Sequence, residues 1–179
     1  MSAHFIYSLS FVSLAIFVKL FVFFSNNQYN ADIDTAAMYA NMLFLLFCVF
    51  FTLRSYKKRE SHSQFLDDVK TCGKAVALYA LVMASYNYTH YRFVDSEYLN
   101  TKITERMELA QQVDESILLN HPKGYSKEEF LENELKMTQF IFSAFNHASF
   151  TLFGYLLMGI LYTIILVVLV RSFPLILFT

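Results

Sequence analysis

Leu156-Leu157-Met158-Gly159-Ile160-Leu161-Tyr162-Thr163-Ile164-Ile165-Leu166-Val167-Val168-Leu169-Val170 carries no charge and is closed by Arg171. With the apolar residues before it, this stretch covers about residues 145–170. That exceeds the roughly 20 residues a helix needs to cross a hydrocarbon core about 30 Å thick. Three further apolar stretches lie upstream, at about 4–24, 35–53 and 75–91, and none holds an acidic residue. The sequence therefore predicts an all-α fold: a polytopic membrane protein with four transmembrane helices. Between helices 3 and 4 lies a polar, helix-patterned block, 92–146, read as an external helical hairpin inserted into a single membrane domain, 1–179.

Composition agrees. The chain is 56% hydrophobic and 16% charged, against the 45–50% and about 25% of soluble domains. Of 14 basic and 15 acidic residues, only Lys19 sits well inside an apolar stretch. Lys19 lies near the end of the first stretch, where its stem can carry the ammonium to the headgroups. No Lys or Arg precedes that first stretch, which is also long for a signal sequence and lacks a small-residue cleavage pattern. An uncleaved helix is expected. Two cysteines, Cys48 and Cys72, build no disulfide framework and read as small packing residues. Trp is absent, so interfacial anchoring falls to Tyr29, Tyr56, Tyr86, Tyr88 and Tyr91 near the stretch ends.

Orientation follows from the basic residues. Arg54, Lys57, Lys58, Arg59, Lys70 and Lys74 crowd the second loop, while the first carries Asp32 and Asp34 and no cation. The positive-inside rule makes the second loop cytoplasmic, and with it both termini. Arg171, after the fourth stretch, falls on the same side. From Phe65 to Val76, Phe65, Leu66, Val69, Cys72 and Val76 are spaced as one helical face. That spacing predicts an amphipathic helix at the inner interface that turns into the third span.

The block 92–146 holds ten carboxylates against six basic residues, an excess that disfavours nucleic acid as a partner. Leu99, Ile103, Met107, Ala110, Val113 and Ile117 recur at steps of three and four, the apolar face of one helix. Asn120-His121-Pro122-Lys123-Gly124 breaks it. Ser126-Lys127-Glu128-Glu129 then reads as a capping box opening a second helix. No breaker follows until Gly154, so that helix is expected to run straight on into the fourth span.

The segment Phe65-Leu66-Asp67-Asp68-Val69-Lys70-Thr71-Cys72-Gly73-Lys74, with Tyr86-Asn87-Tyr88-Thr89-His90-Tyr91-Arg92-Phe93-Val94-Asp95, resembles a family of four-span inner-membrane proteins, a domain of unknown function common in Bacteroidota. The matching positions are Lys70-Thr71, Gly73 and Tyr86 to Asp95. The chain differs from the family pattern at Ser96, where proline is usual, and in its apolar end, Phe173 to Thr179. The resemblance implies a multi-pass protein of a bacterial inner membrane with both termini cytoplasmic and 92–146 periplasmic. It implies no activity.

Coupled transport needs charges at mid-depth, and none of the spans holds a central Asp, Glu, Arg or His. Asn41, Tyr79, Tyr162 and Thr163 read as bonds between helices, and Gly154 and Gly159 as close-packing positions. His90 and His147 are the candidates for a metal, completed by Asp95 or Glu97; without an H-x-x-x-H or E-x-x-H spacing they read as interfacial histidines. No nucleophile motif or phosphate-binding loop is present. The expectation is a protein without catalytic residues, cofactor or metal. The favoured role is an accessory or structural subunit of a larger inner-membrane complex. It would dock through its spans and through Glu108, Phe130, Leu131, Glu132 and Leu135 of the hairpin, with the bilayer and a larger membrane protein as partners. A membrane partner of an enzyme acting on lipid-linked envelope substrates is the alternative, and a small transporter or channel the third reading.

Overall fold

The computed structural model describes residues 3–60, 62–113 and 126–173. Among them are six α-helices: α1 (Ala3–Phe24), α2 (Ala31–Arg59), α3 (Phe65–Thr89), α4 (Ser96–Gln111), α5 (Lys127–Ile141) and α6 (Ala144–Ser172). A π-helical turn, His90–Val94, follows α3. Three helices are long and apolar enough to cross a membrane: α1 from His4, α2 and α6. The chain divides into two compact units, one of residues 1–86 and 150–179, the other Asn87–Ser149.

In the first unit, α2 is longer than its apolar stretch at both ends. Asn30 caps it, its side chain accepting from the backbone N–H groups of Asp32 and Ile33. Asp32 and Asp34 fall in the first turn and Lys57, Lys58 and Arg59 in the last. Each sign thus sits at the helix end whose partial charge it offsets. The basic cluster of the second loop is therefore helical. α3 likewise runs unbroken from Phe65 to Thr89, so the expected amphipathic piece and most of the third apolar stretch belong to one helix. It carries Asp67, Asp68, Lys70 and Lys74 in its first half, which keeps it less apolar than the other three.

α3 is also where burial concentrates. Cys72, Ala75, Val76, Tyr79 and Met83 join Val12 and Ala15 of α1, Leu45, Cys48, Val49 and Leu53 of α2, and Val167 and Val170 of α6 in one core. The outward faces of α1 and α6 remain covered with exposed Phe, Leu and Ile, among them Phe17, Phe21, Phe153, Leu157 and Ile165. That is the composition of a lipid-facing surface. Of the polar groups expected to bond between helices, Tyr79 does so, while among the described residues the Asn41 side chain and the Thr163 hydroxyl are buried without a hydrogen bond. The Tyr79 hydroxyl donates to the Asn41 carbonyl at 3.1 Å, and Ser8 Oγ donates to the Ala75 carbonyl at 3.0 Å. Of the two glycines, only Gly159 is a close-packing site: a Cβ there would overlap the Val76 side chain, whereas Gly154 faces open space.

In the second unit, α4 and α5 pack antiparallel. Arg106 Nε lies 3.6 Å from Glu134 Oε2, while Phe142, just past α5, packs against Tyr98 and Leu99 at the start of α4. Leu99 and Ala110 are buried and Ile103, Met107 and Val113 half-buried, as the apolar period requires; Ile117 and the breaker at Asn120–Gly124 lie outside the described residues. The capping box is formed in both directions: the Glu129 N–H donates to Ser126 Oγ and the Ser126 N–H to Glu129 Oε2, each at 3.2 Å. The second helix does not run on into the fourth apolar stretch. α5 ends at Ile141, and α6 restarts at Ala144, where Ser143 Oγ accepts from the Asn146 N–H at 3.2 Å. A serine placed to cap overrides the absence of Gly or Pro.

Candidate functional site

The strongest concentration of charge among the described residues gathers on a buried carboxylate. Asp68, in the first turn of α3, has 0% exposure. Its Oδ2 accepts from Lys57 Nζ at 2.8 Å, from Arg171 Nε at 2.9 Å and from Arg171 Nη2 at 2.6 Å. Its Oδ1 accepts from Ser63 Oγ at 2.6 Å. Ser63 in turn accepts from Lys57 Nζ at its hydroxyl, 2.8 Å, and from Arg171 Nη2 at its carbonyl, 2.7 Å. The Arg171 guanidinium also lies 5.8 Å from the centroid of the Phe65 ring, within cation–π range.

The elements explain the placement. Lys57 is in the last turn of α2 and Arg171 in the last turn of α6, where cations are favoured; Asp68 opens α3, where an anion is favoured. Three helix ends are thus tied to one carboxylate. Removing a carboxylate from water costs several kcal/mol, and two cations with a hydroxyl offset that cost. The arrangement locks α2, α3 and α6 at one end, and every charge in it is turned on another.

Lys57 and Arg171 are sequence-predicted orientation markers, and the structure brings these two together. Arg54, Lys58, Arg59, Lys70 and Lys74 take no part in the lock; Lys58, Arg59, Lys70 and Lys74 are exposed. Asp68 is the residue the sequence reading passes over. Its signal was available: Asp68 stands four residues before Cys72 and eight before Val76, in register with the buried stripe of α3. An acid in register with a core stripe needs a cation, and the second loop is full of them.

A second cluster is built on the π-helical turn of the other unit. A π-turn widens a helix by one residue and often marks a functional place. Here the Asp95 N–H donates to the His90 carbonyl at 2.8 Å. Asp95 is buried and caps α4, accepting from the Tyr98 N–H at 3.3 Å. The Tyr91 ring is stacked on Tyr98 at 5.2 Å and met edge-on by His90 at 5.2 Å and His147 at 4.7 Å. Lys102 Nζ lies 5.7 Å over the Tyr98 ring. The structure therefore does bring His90 and His147 together, through a tyrosine. Asp95 is engaged as a cap and Glu97 is exposed on α4. Among the described residues no three His, Cys, Asp or Glu converge as metal ligands.

The hairpin residues expected to dock are distributed unevenly. Glu108, Glu132 and Leu135 are exposed, while Phe130 and Leu131 are half-buried. Glu132 accepts from Lys136 Nζ at 2.6 Å, and that hydrogen bond, with the ammonium charge, holds its carboxyl below the usual carboxylate range.

The class these features define is an all-α protein with membrane-crossing helices and a helical pair between α3 and α6. A family model described as a protein of unknown function, DUF4199, matches residues 6–172, and the chain belongs to that family. No curated protein and no solved structure matches the chain.

Proposed function

We propose that this chain is a non-catalytic accessory or structural subunit of a larger membrane complex, docking through its spans and the α4–α5 pair. The observation that carries the reading is the surface of the α4–α5 pair. There Glu97, Glu105, Glu108, Glu128, Glu129 and Glu132 are exposed, together with Leu109 and Leu135. Carboxylates around apolar side chains suit a protein partner with a basic rim better than anionic lipid.

In this reading α3 is a fourth span. Its lower apolarity reflects enclosure by its neighbours, since a helix whose face is core needs less lipid-compatible surface. The basic residues at the ends of α2 and α6 then face the cytoplasm, both termini lie there, and 92–146 is periplasmic in a bacterial inner membrane such as that of Bacteroidota. Cysteine introduced at Glu108 should react with an impermeant maleimide on intact cells, and cysteine at Glu60 only after lysis. The reverse pattern would invert the topology.

The role is tested by mild-detergent purification with mass spectrometry of wild type and two variants. Glu108→Arg with Glu132→Arg should lose a stoichiometric larger partner that His147→Phe, which keeps a ring against Tyr91, retains. A homo-oligomer with no second protein in any sample would overturn the subunit reading. Loss confined to the His147 variant would move the function to the Tyr91 cluster.

A further inference from the structure

The charge-free run that ends at Arg171 is longer than a membrane requires. No Asp, Glu, Lys or Arg occurs from Met137 to Val170. As helix at 1.5 Å per residue this is about 50 Å, against roughly 30 Å of hydrocarbon. The surplus lies at the α5 end. Lys127, Glu128, Glu129, Glu132, Glu134 and Lys136 all precede Met137, so α5 changes from a water-suited helix to an apolar one within a single turn.

The structure gives that surplus a shape. Met137, Phe140 and Ile141 are spaced three and four apart, hence on one stripe of α5. They are 59%, 63% and 39% exposed, while Thr138 on the same turn is buried. Phe145, in the first turn of α6, is 69% exposed. Between them the elbow at Phe142–Ser143 is held by several hydrogen bonds. The Phe142 N–H donates to the Thr138 carbonyl at 2.9 Å and Ser143 Oγ to the Phe140 carbonyl at 3.0 Å. Asn146 Nδ2 adds a 2.5 Å bond to the same carbonyl. These bonds make this a built bend rather than a frayed helix end.

We propose that the stripe Met137–Phe140–Ile141, with Phe145, lies in the headgroup–acyl boundary of the bilayer, so that the last turn of α5 and its elbow form an interfacial seat. The occupant follows from continuity. Two residues separate α5 from α6, a helix long and apolar enough to cross a membrane. At about 3.5 Å per residue the stripe's end is within roughly 10 Å of the first residue of α6. Interfacial helices bury their apolar face about 5–10 Å deep, at that level. On its N-terminal side the stripe adjoins the exposed Lys136–Glu132 pair. An apolar stripe with a lysine at its water-side edge suits a lipid boundary, where the stem packs on the apolar face and the ammonium reaches the headgroups. The seat does not rest on the subunit reading: none of Met137, Phe140, Ile141 and Phe145 is a docking residue of that reading, although Leu135 is two residues away.

The chain has no Trp, so each Trp substitution is a single reporter. Full-length Phe140→Trp, Phe153→Trp on exposed α6, and Leu109→Trp on exposed α4 would be reconstituted in phosphatidylcholine vesicles carrying lipids brominated high on the acyl chain. Trp at 140 should be quenched at least about half as strongly as Trp at 153 and several-fold more than Trp at 109, as expected of a side chain at the acyl boundary. Met137→Trp should behave like Phe140→Trp, which guards against one variant folding poorly. Quenching at 140 and 137 no greater than at 109 would overturn the seat. Acrylamide would then identify the true surroundings, with strong quenching meaning water and weak quenching meaning a protein cover.

Discussion

Asp68 in the first unit and Glu132 in the second are each held by a lysine ammonium, at 2.8 Å and 2.6 Å. The shorter pair is the less consequential. Glu132 and Lys136 are exposed neighbours on one helix, and water competes for both charges. Asp68 is sealed from water and joins three helix ends, one of them 103 residues away. Burial and the sequence separation of the partners, not the distance, separate a structural lock from surface decoration. The contrast is between these two carboxylates, not between all the charges around them: Lys58, Arg59, Lys70 and Lys74 of the first unit are exposed, and Asp95 of the second is buried.

The most direct way to break that contrast is Asp68→Ala. It leaves Lys57 and Arg171 without their counter-ion and should cost about 3–5 kcal/mol, the penalty for an uncompensated buried charge. The loss should appear as a lower midpoint in detergent-denaturant or thermal unfolding of the purified protein. Adding Lys57→Met and Arg171→Met should recover much of it, because removing all the charges also removes the desolvation cost. If Asp68→Ala unfolds like wild type, the buried lock contributes nothing.

Next in size is Gly159→Leu in α6. Gly159 abuts Val76, so a larger side chain should force the helices apart and cost about 1–3 kcal/mol. Gly154→Leu, into open space, should be near neutral, and Val76→Ala should rescue the Gly159 variant. Equal effects at 154 and 159 would contradict the packing.

These two sites show what was legible in the sequence. The apolar stretches, the helical pair and the capping box at Ser126 rest on local signals, namely periodicity, charge runs and cap residues, and are read directly. Asp68, Gly159 and the elbow at Ser143 depend on what meets them across space. Lys57 and Arg171 are visible as cations, but 114 positions apart nothing local says that they share one carboxylate. Gly154 and Gly159 look alike in sequence, and only the neighbouring helix distinguishes them. The elbow was within reach: Ser143 followed by Asn146 is a capping pattern, hidden by an uninterrupted apolar run.

A smaller effect belongs to Ser126→Ala. Its hydroxyl satisfies one N–H of the first turn of α5, and removing such a cap costs about 1 kcal/mol. Faster hydrogen exchange should be confined to the first turns of α5, with α2 and α3 unchanged. Exchange already at the unprotected rate in the wild type would mean that α5 is not formed there.

The smallest effect tests the surface side of the comparison. Glu132 titrates below the ordinary carboxylate range because Lys136 hydrogen-bonds it and places a positive charge beside it. A carboxylate whose folded pKa lies below its unfolded one adds stability above the unfolded value and loses it as pH falls through the folded value. Lys136→Ala should therefore raise the Glu132 titration midpoint toward that of a free glutamate, read by carboxyl-carbon NMR in detergent micelles. Salt should move the wild-type midpoint the same way, since an exposed pair is screened. The unfolding midpoint at neutral pH should barely change. A destabilisation comparable to that of Asp68→Ala would mean that Glu132 is covered in the folded protein, and the contrast between the two carboxylates would fail.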